Sequence, residues 1–149
     1  MAWFGGEETG QADTLNEGRF ESWFEDPLAG LSEGQRQMHI SLMSIFPDAV
    51  HCVNYRDEDL RFSNGRQFEL DAFFPELMLA FEYQGEQHYT PVEPWGGEEA
   101  LKRTIKRDTE KRALCSSHGI LLVEVPFTWN RVDEHLLQII KDERKRFNE

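Results

Sequence analysis

Hydrophobic and polar positions along this chain follow two periods, which predict helices and strands in the order α-β-β-β-α-β-α. Apolar residues at helical spacing favour amphipathic helices over 31–48, 96–119 and 131–147. Short runs rich in aromatic and β-branched residues favour strands over 49–56 and 120–127. Two further strands follow a turn at Asn64-Gly65 and end at Phe74 and near Gln84.

Three local signals fix the ends of these elements. Ser32 and Gln35 have the spacing of a capping box, so we expect the first helix to start there and to end before Pro47. Gly119 is placed to end the second helix. Asn64-Gly65 is a strong hairpin signal between two strand-like segments.

The order of elements predicts an α/β fold with a mixed central sheet flanked by helices and an extra C-terminal helix. The run "LMLAF" (77–81) has no polar alternation, so its strand should be covered on both faces. Residues 31–149 are therefore expected to form one domain, a length that can bury a sound core.

Charge is distributed unevenly along the chain, and the excess of acidic residues lies in its N-terminal part. The net charge is −12, and residues 1–60 hold 12 acids against three bases, whereas residues 61–149 hold 16 acids against 13 bases. Residues 1–30 are acidic with scattered aromatics and little periodicity, which predicts a flexible arm that can bind a protein partner. No apolar run is long enough to span a membrane, no secretion signal opens the chain, and two cysteines fit a reducing compartment, so we expect an intracellular protein.

Polar side chains stand in and beside the most apolar segment of the chain. Side chains alternate along a strand, so Glu82 and Gln84 share one face of theirs, and Asp71 lies on the preceding strand. A tight connection between the two strands would let Asp71 and Glu82 converge. Converging carboxylates form an oxygen-rich site suited to Mg²⁺. From spacing alone, the alternative is that both acids simply lie at exposed strand ends.

The second helix carries the next candidates. One stripe of this helix is expected to face the sheet and consists of Leu101, Ile105, Asp108, Arg112 and Cys115. Asp108 and Arg112 on this stripe belong either to a functional site or to a simple i,i+4 pair. Further bases spread around this helix and either contact phosphates or form a solvated face: Lys102, Arg103, Lys106, Arg107 and Lys111.

One histidine stands out because it follows the strand that carries Glu82 and Gln84. His88, in "GEQHY", can act as a general acid or base or can orient a phosphate. The remaining histidines have no such neighbours and are interpreted as structural: His39, His51, His118 and His135. The chain contains no zinc-finger spacing and no phosphate-binding glycine loop with its lysine.

Asp71, ten intervening residues, and then Glu82-Tyr83-Gln84 on the next strand resemble the signature of the PD-(D/E)xK nucleases. The likeness is stronger to the branch that contains very short patch repair endonucleases and EDxHD homing endonucleases, over about residues 31–147. This resemblance implies a restriction-endonuclease-like fold and hydrolysis of DNA phosphodiester bonds with Mg²⁺ or Mn²⁺.

The resemblance also assigns roles to residues of this chain. Asp71 and Glu82 would bind the metal, and Gln84 would occupy the position that often holds a lysine. Lys111 is the candidate to replace that lysine. His88, Asp108 and, in the first helix, Glu33 would match the remaining polar positions.

A metal-dependent DNA endonuclease is thus the leading functional hypothesis. The alternative is a module that keeps the nuclease fold without the chemistry and binds RNA, DNA or a protein. The stretch "ELDAFFPELMLAFE" is similar to part of the RAP domain of organellar RNA-associated proteins, which is why RNA is included.

Overall fold

The computed structural model describes residues 26–148, and from Leu31 onward these form one compact unit. The predicted order of elements is confirmed, with α1 at Glu33–Ile45, β1 at Cys52–Arg61, β2 at Gln67–Phe74, β3 at Leu79–Gln84, α2 at Gly97–Ser117, β4 at Leu121–Pro126 and α3 at Asp133–Phe147. Three short 3₁₀ turns complete the connections, at Pro75–Leu77, Glu86–His88 and Glu93–Trp95. The predicted acidic arm, residues 1–30, lies outside the described residues except for its last five.

The four strands form one mixed sheet in the order β1-β2-β3-β4. The β1–β2 and β2–β3 pairs are antiparallel, and β3–β4 is parallel. The helix α2 makes the crossover that a parallel pair requires. The mixed α/β architecture with its additional C-terminal helix is as the sequence predicted.

Two apolar layers cover the two faces of the sheet. On one face, Met38 of α1 and Leu136 of α3 pack with Phe81 of β3. On the other, Cys115 of α2 packs with Ala80 of β3. Strand β3 is therefore covered on both faces, as predicted, but the predicted run 77–81 is only partly strand, because Leu77 and Met78 precede β3 and are exposed.

Local signals act as the sequence indicated. Ser32 and Gln35 form the capping box of α1, each side chain bonding the backbone N–H of the other residue. The β1–β2 hairpin turns at Gly65, whose φ of 87° is in the left-handed region that glycine favours. Gly119, with φ of 76°, ends α2, and both cysteines are free thiols.

The predicted face of α2 is partly wrong. Ile105 is 50% exposed and the Arg112 side chain is 45% exposed. Thr104 and Lys111 lie closer to the sheet in their place. Both inward positions are polar, so a stripe drawn from apolar residues is shifted by one position.

In the part of the chain from 26 to 148, no helix has both the length and the apolar composition needed to cross a membrane.

Candidate functional site

The centre of the site is the point at which β2 and β3 stop pairing. Their ladder ends at Ala72 opposite Phe81. One step further, the backbone N–H of Tyr83 donates to Oδ2 of Asp71 at 2.8 Å. The Asp71 carboxylate thus takes the place of a backbone acceptor, and the same register sets Asp71 across from Glu82.

Asp71 is only 8% exposed and is held from the side of α1. The Gln35 side chain uses its oxygen for the N-cap of α1 and hydrogen-bonds Asp71 as well. Burial raises the pKa of Asp71, while the bond from Tyr83 and the charge of Lys111 oppose that rise. His39, fully buried one turn after Gln35, also interacts electrostatically with Asp71.

Lys111 of α2 reaches the same group from the opposite layer. Its ammonium contacts the carboxylate of Glu82, and the two side chains are 15% and 11% exposed. Burial lowers the pKa of Lys111, and the negative charge of Asp71 works against that shift. The ammonium also lies 5.4 Å from the centre of the Phe68 ring, a cation–π distance. Asp71, Glu82 and Lys111, which we call the carboxylate–lysine group, therefore converge.

A second acid–base pair lies one strand further along. Glu124 of β4 is in register with Glu82 of β3, and it contacts Arg112. Lys111 and Arg112 are consecutive residues, so one turn of α2 neutralises two neighbouring glutamates. Arg112 therefore does not form the simple i,i+4 pair with Asp108 that was one of the two alternatives from the sequence.

Asp108 instead pairs with His88. Nδ1 of His88 lies 2.7 Å from Oδ2 of Asp108, and the two side chains are 17% and 14% exposed. The 3₁₀ turn after β3 carries the histidine, and the acid lies one turn before Lys111 on α2. A carboxylate at Nδ1 orients the imidazole and leaves Nε2 for proton transfer. Sequence reasoning had singled out both residues, and the structure brings them together.

Gln84 connects the two groups. It is 5% exposed, lies two residues after Glu82 on the same face of β3, and lines an open cleft that His88 and Asp108 also line.

Glu33 is not joined to this site by any hydrogen bond or ion pair among residues 26–148. It is exposed, and its Oε1 accepts from Gln37 at 3.0 Å. Gln35 is the α1 residue that reaches Asp71, and sequence reasoning missed it in that role. The available signal was the i,i+4 spacing of Gln35 and His39, two polar residues on the inward side of the helix.

The predicted phosphate-contacting bases occupy the exposed side of α2. Arg103, Lys106 and Arg107 line a shallow groove with Phe62 and Asn64 of the β1–β2 turn. Within the described part of the chain, none of these three bases pairs with an acid, whereas Lys102 lies 3.8 Å from Glu99. The groove, which we call the basic groove, is also lined by Glu110, so its three bases and one acid leave a formal charge of +2.

The carboxylate–lysine group offers two carboxylates and one ammonium to a divalent ion. Between residues 26 and 148, no three His, Cys, Asp or Glu side chains gather as a ready metal cage. Mg²⁺ needs no such cage, because it commonly takes one or two carboxylates and completes its shell with water and substrate phosphate. Asp71 and Glu82 are carboxylates of the kind that such an ion takes, and Glu82 contacts Lys111 in this structure.

Three viral proteins are similar in sequence to part of this chain. It is 41% identical over 78 residues to uncharacterized protein 094L of Frog virus 3 (isolate Goorha), covering 51% of this chain and 50% of that protein. It is 34% identical over 74 residues to uncharacterized protein 307L of Invertebrate iridescent virus 6, covering 49% and 38%. Uncharacterized protein 033L of Invertebrate iridescent virus 3 is 38% identical over 65 residues, covering 43% and 34%.

The chain thus spans half or less of the length of these relatives. No protein-family model matches the chain, and no solved structure matches it.

Proposed function

We propose that this protein is a metal-dependent nuclease that hydrolyses DNA phosphodiester bonds inside the cell. The observation that carries the proposal is the position of Lys111. An ammonium from α2 meets the carboxylate of Glu82 beside buried Asp71, where two strands separate. A buried pair of this kind stabilises a fold weakly, so its placement at a strand divergence favours a chemical role.

Asp71 and Glu82 would hold the ion. When bound, Mg²⁺ or Mn²⁺ would polarise the scissile phosphate and lower the pKa of the attacking water. Lys111 would leave Glu82 and donate a hydrogen bond to a phosphate oxygen, where negative charge develops. The hydrogen bonds from Tyr83 and Gln35 fix the Asp71 carboxylate in one orientation.

His88 and Asp108 supply the proton-transfer element of the proposal. Because Nδ1 of His88 faces Asp108, Nε2 can accept a proton from water or give one to the leaving oxygen. The basic groove on α2 would hold the backbone of the substrate through Arg103, Lys106 and Arg107.

The proposal is tested with the purified 149-residue chain on plasmid DNA, single-stranded DNA and RNA, in Mg²⁺, in Mn²⁺ and in EDTA. We expect cleavage of DNA in either metal and none in EDTA. Glu82→Gln should lower the rate at least about 100-fold. Glu134→Gln, which changes an exposed glutamate on α3, is the matched control. Equal cleavage in EDTA and in Mg²⁺ would exclude the metal-dependent scheme.

A second candidate is a nuclease-fold module that binds RNA, DNA or a protein without cleaving. It is favoured by one observation, that Lys111 already neutralises Glu82 while no three-ligand metal group is assembled among residues 26–148. This candidate predicts nucleic-acid binding that is equal in Mg²⁺ and EDTA. If only a protein binds, the acidic front of the chain is the segment to delete first.

Binding through the basic groove has its own signature in both candidates. On duplex DNA, the double change Lys106→Gln/Arg107→Gln should reduce the slope of log affinity against log salt by about 1.8, because each phosphate contact contributes about 0.9 there. Lys141→Gln/Lys145→Gln on α3 is the matched control and should leave the slope unchanged. If the two double variants change the slope equally, binding does not use the groove.

A further inference from the structure

A cleft adjoins the carboxylate–lysine group, and the proposed nuclease mechanism uses only His88 and Asp108 of its lining residues. It lies among α2, α3 and the carboxyl ends of β3 and β4, with a volume of about 450 Å³. Gln84 lines it, and Glu82 lies two residues earlier on the same strand face. A group in the cleft would therefore lie next to the scissile phosphate.

The walls of the cleft combine apolar and aromatic surface. Ile105, Pro126 and Ile139 contribute apolar atoms, and Tyr89 contributes a ring. The Tyr89 ring centroid lies 5.7 Å from that of Phe127, with the rings tilted by 48°. Tyr89 is 49% exposed and Ile105 is 50% exposed, although each is large and apolar for most of its surface. A flat apolar ligand would cover both.

The charges of the cleft disfavour a phosphate as its occupant. Arg112 and Arg146, the cleft's two guanidinium groups, already pair with Glu124 and with Glu143. Counting all four lining carboxylates, those of Asp108, Glu124, Asp142 and Glu143, against the two arginines leaves a formal charge of −2 with His88 neutral. The phosphates belong on the basic groove instead, and the cleft suits a planar group without negative charge.

We propose that the cleft receives one unpaired nucleobase of the bound strand, so that the substrate is single-stranded or locally unpaired nucleic acid. This inference rests on the proposed nuclease function and adds its substrate class. The Tyr89 ring offers a stacking surface, which every base can use. The amide of Gln84 and the hydroxyl of Thr109 offer hydrogen-bonding groups for a base edge.

Single-stranded substrate follows from the cost of reaching such a cleft. A base in a duplex must leave its partner and its stack before it can enter, and a single-stranded base has no pairing to lose. The protein should therefore bind and cleave a single strand better than the same sequence in a duplex.

The test is fluorescence anisotropy in EDTA, with a labelled 12-nucleotide single strand and the matching duplex. Tyr89→Leu should weaken single-strand binding about 5- to 100-fold, the effect of losing one base–aromatic stack. Duplex binding should change less than about twofold. Trp95→Leu is the matched control, because Trp95 is 58% exposed and does not line the cleft. It should leave both affinities unchanged.

Single-strand affinity that survives Tyr89→Leu, or that falls equally in Trp95→Leu, overturns the inference. Equal weakening of single strand and duplex also overturns it. The failure of the nuclease proposal looks different, because it is absence of metal-dependent cleavage while Tyr89-dependent single-strand binding persists. Metal-dependent cleavage with Tyr89-independent binding defeats the cleft assignment alone.

Discussion

The Lys111 ammonium, carried by α2, contacts the Glu82 carboxylate of β3, and both side chains are largely buried. The contact joins the helix layer to the sheet beside Asp71, where β2 and β3 separate. Changes of Lys111 and of Glu82 should therefore affect the stability of the fold and the nuclease activity to different extents.

Lys111→Met should destabilise the fold by about 3 kcal/mol, because it leaves Glu82 as a buried charge without its partner. Urea unfolding monitored by circular dichroism measures the change in the free energy of unfolding. Lys102→Met, at an exposed position of the same helix, should stay within about 0.5 kcal/mol of the parent.

The double variant Glu82→Gln/Lys111→Met should recover most of that loss, since no unpaired charge remains. Its nuclease activity should stay absent. A Lys111→Met protein as stable as its parent would show that the ion pair is not buried as described.

His88→Gln should lower the cleavage rate by about 100-fold or more, the usual effect of removing a general acid or base. His118→Gln, at the exposed end of α2, is the matched change. A His88→Gln rate within threefold of wild type would remove His88 from the mechanism.

Gly34→Ala should destabilise the protein by about 1–3 kcal/mol through overpacking. A Cβ at position 34 would lie 2.2 Å from Cζ of Tyr83, so either the Tyr83 ring or α1 must shift. That movement would also disturb Gln35, which helps to hold Asp71. Met43→Ala, at an exposed site of α1, is the comparison. Equal unfolding midpoints for the two variants would contradict the close approach of α1 to Tyr83.

His39 should make the fold sensitive to acid. Its Nδ1 lies 2.9 Å from Nε2 of His51, and burial lowers the pKa of His39 from its usual 6.5 to about 4. The unfolded chain therefore binds a proton that the folded chain does not bind between these pH values, so stability falls as pH drops from 6.5 towards 4. The expected loss from His39 between pH 7 and pH 5 is about 2 kcal/mol.

Urea unfolding at the two pH values tests this, with His39→Gln expected to lose that part of the pH dependence and His118→Gln expected to keep it. An unchanged pH dependence in His39→Gln would show that another group is responsible.

Much of the fold was predictable because its signals are local. The capping box at Ser32, the turn at Gly65 and the end of α2 at Gly119 each depend on neighbouring residues alone. The convergence of Asp71 with Glu82 followed from strand alternation across a short connection.

The rest depended on how layers pack, which periodicity does not determine. The inward positions of α2 are occupied by Thr104, Asp108, Lys111 and Cys115, and three of these are polar. The predicted stripe therefore contained Ile105 in place of Thr104 and Arg112 in place of Lys111. The sequence indicated the capping role of Gln35 but not its interaction with Asp71, because the same side chain does both. The pairing of Glu124 with Arg112 required the register of β3 with β4.

The most direct test of the carboxylate–lysine group as a nuclease site is the Mn²⁺-dependent cleavage rate of single-stranded DNA by Asp71→Asn. Asparagine keeps an acceptor for the Tyr83 N–H and removes a charge whose burial is unfavourable, so the variant should be as stable as the parent. We predict a rate at least about 100-fold below wild type, with Asp48→Asn, at an exposed position after α1, unaffected. A folded Asp71→Asn protein that cleaves at the wild-type rate would contradict the account.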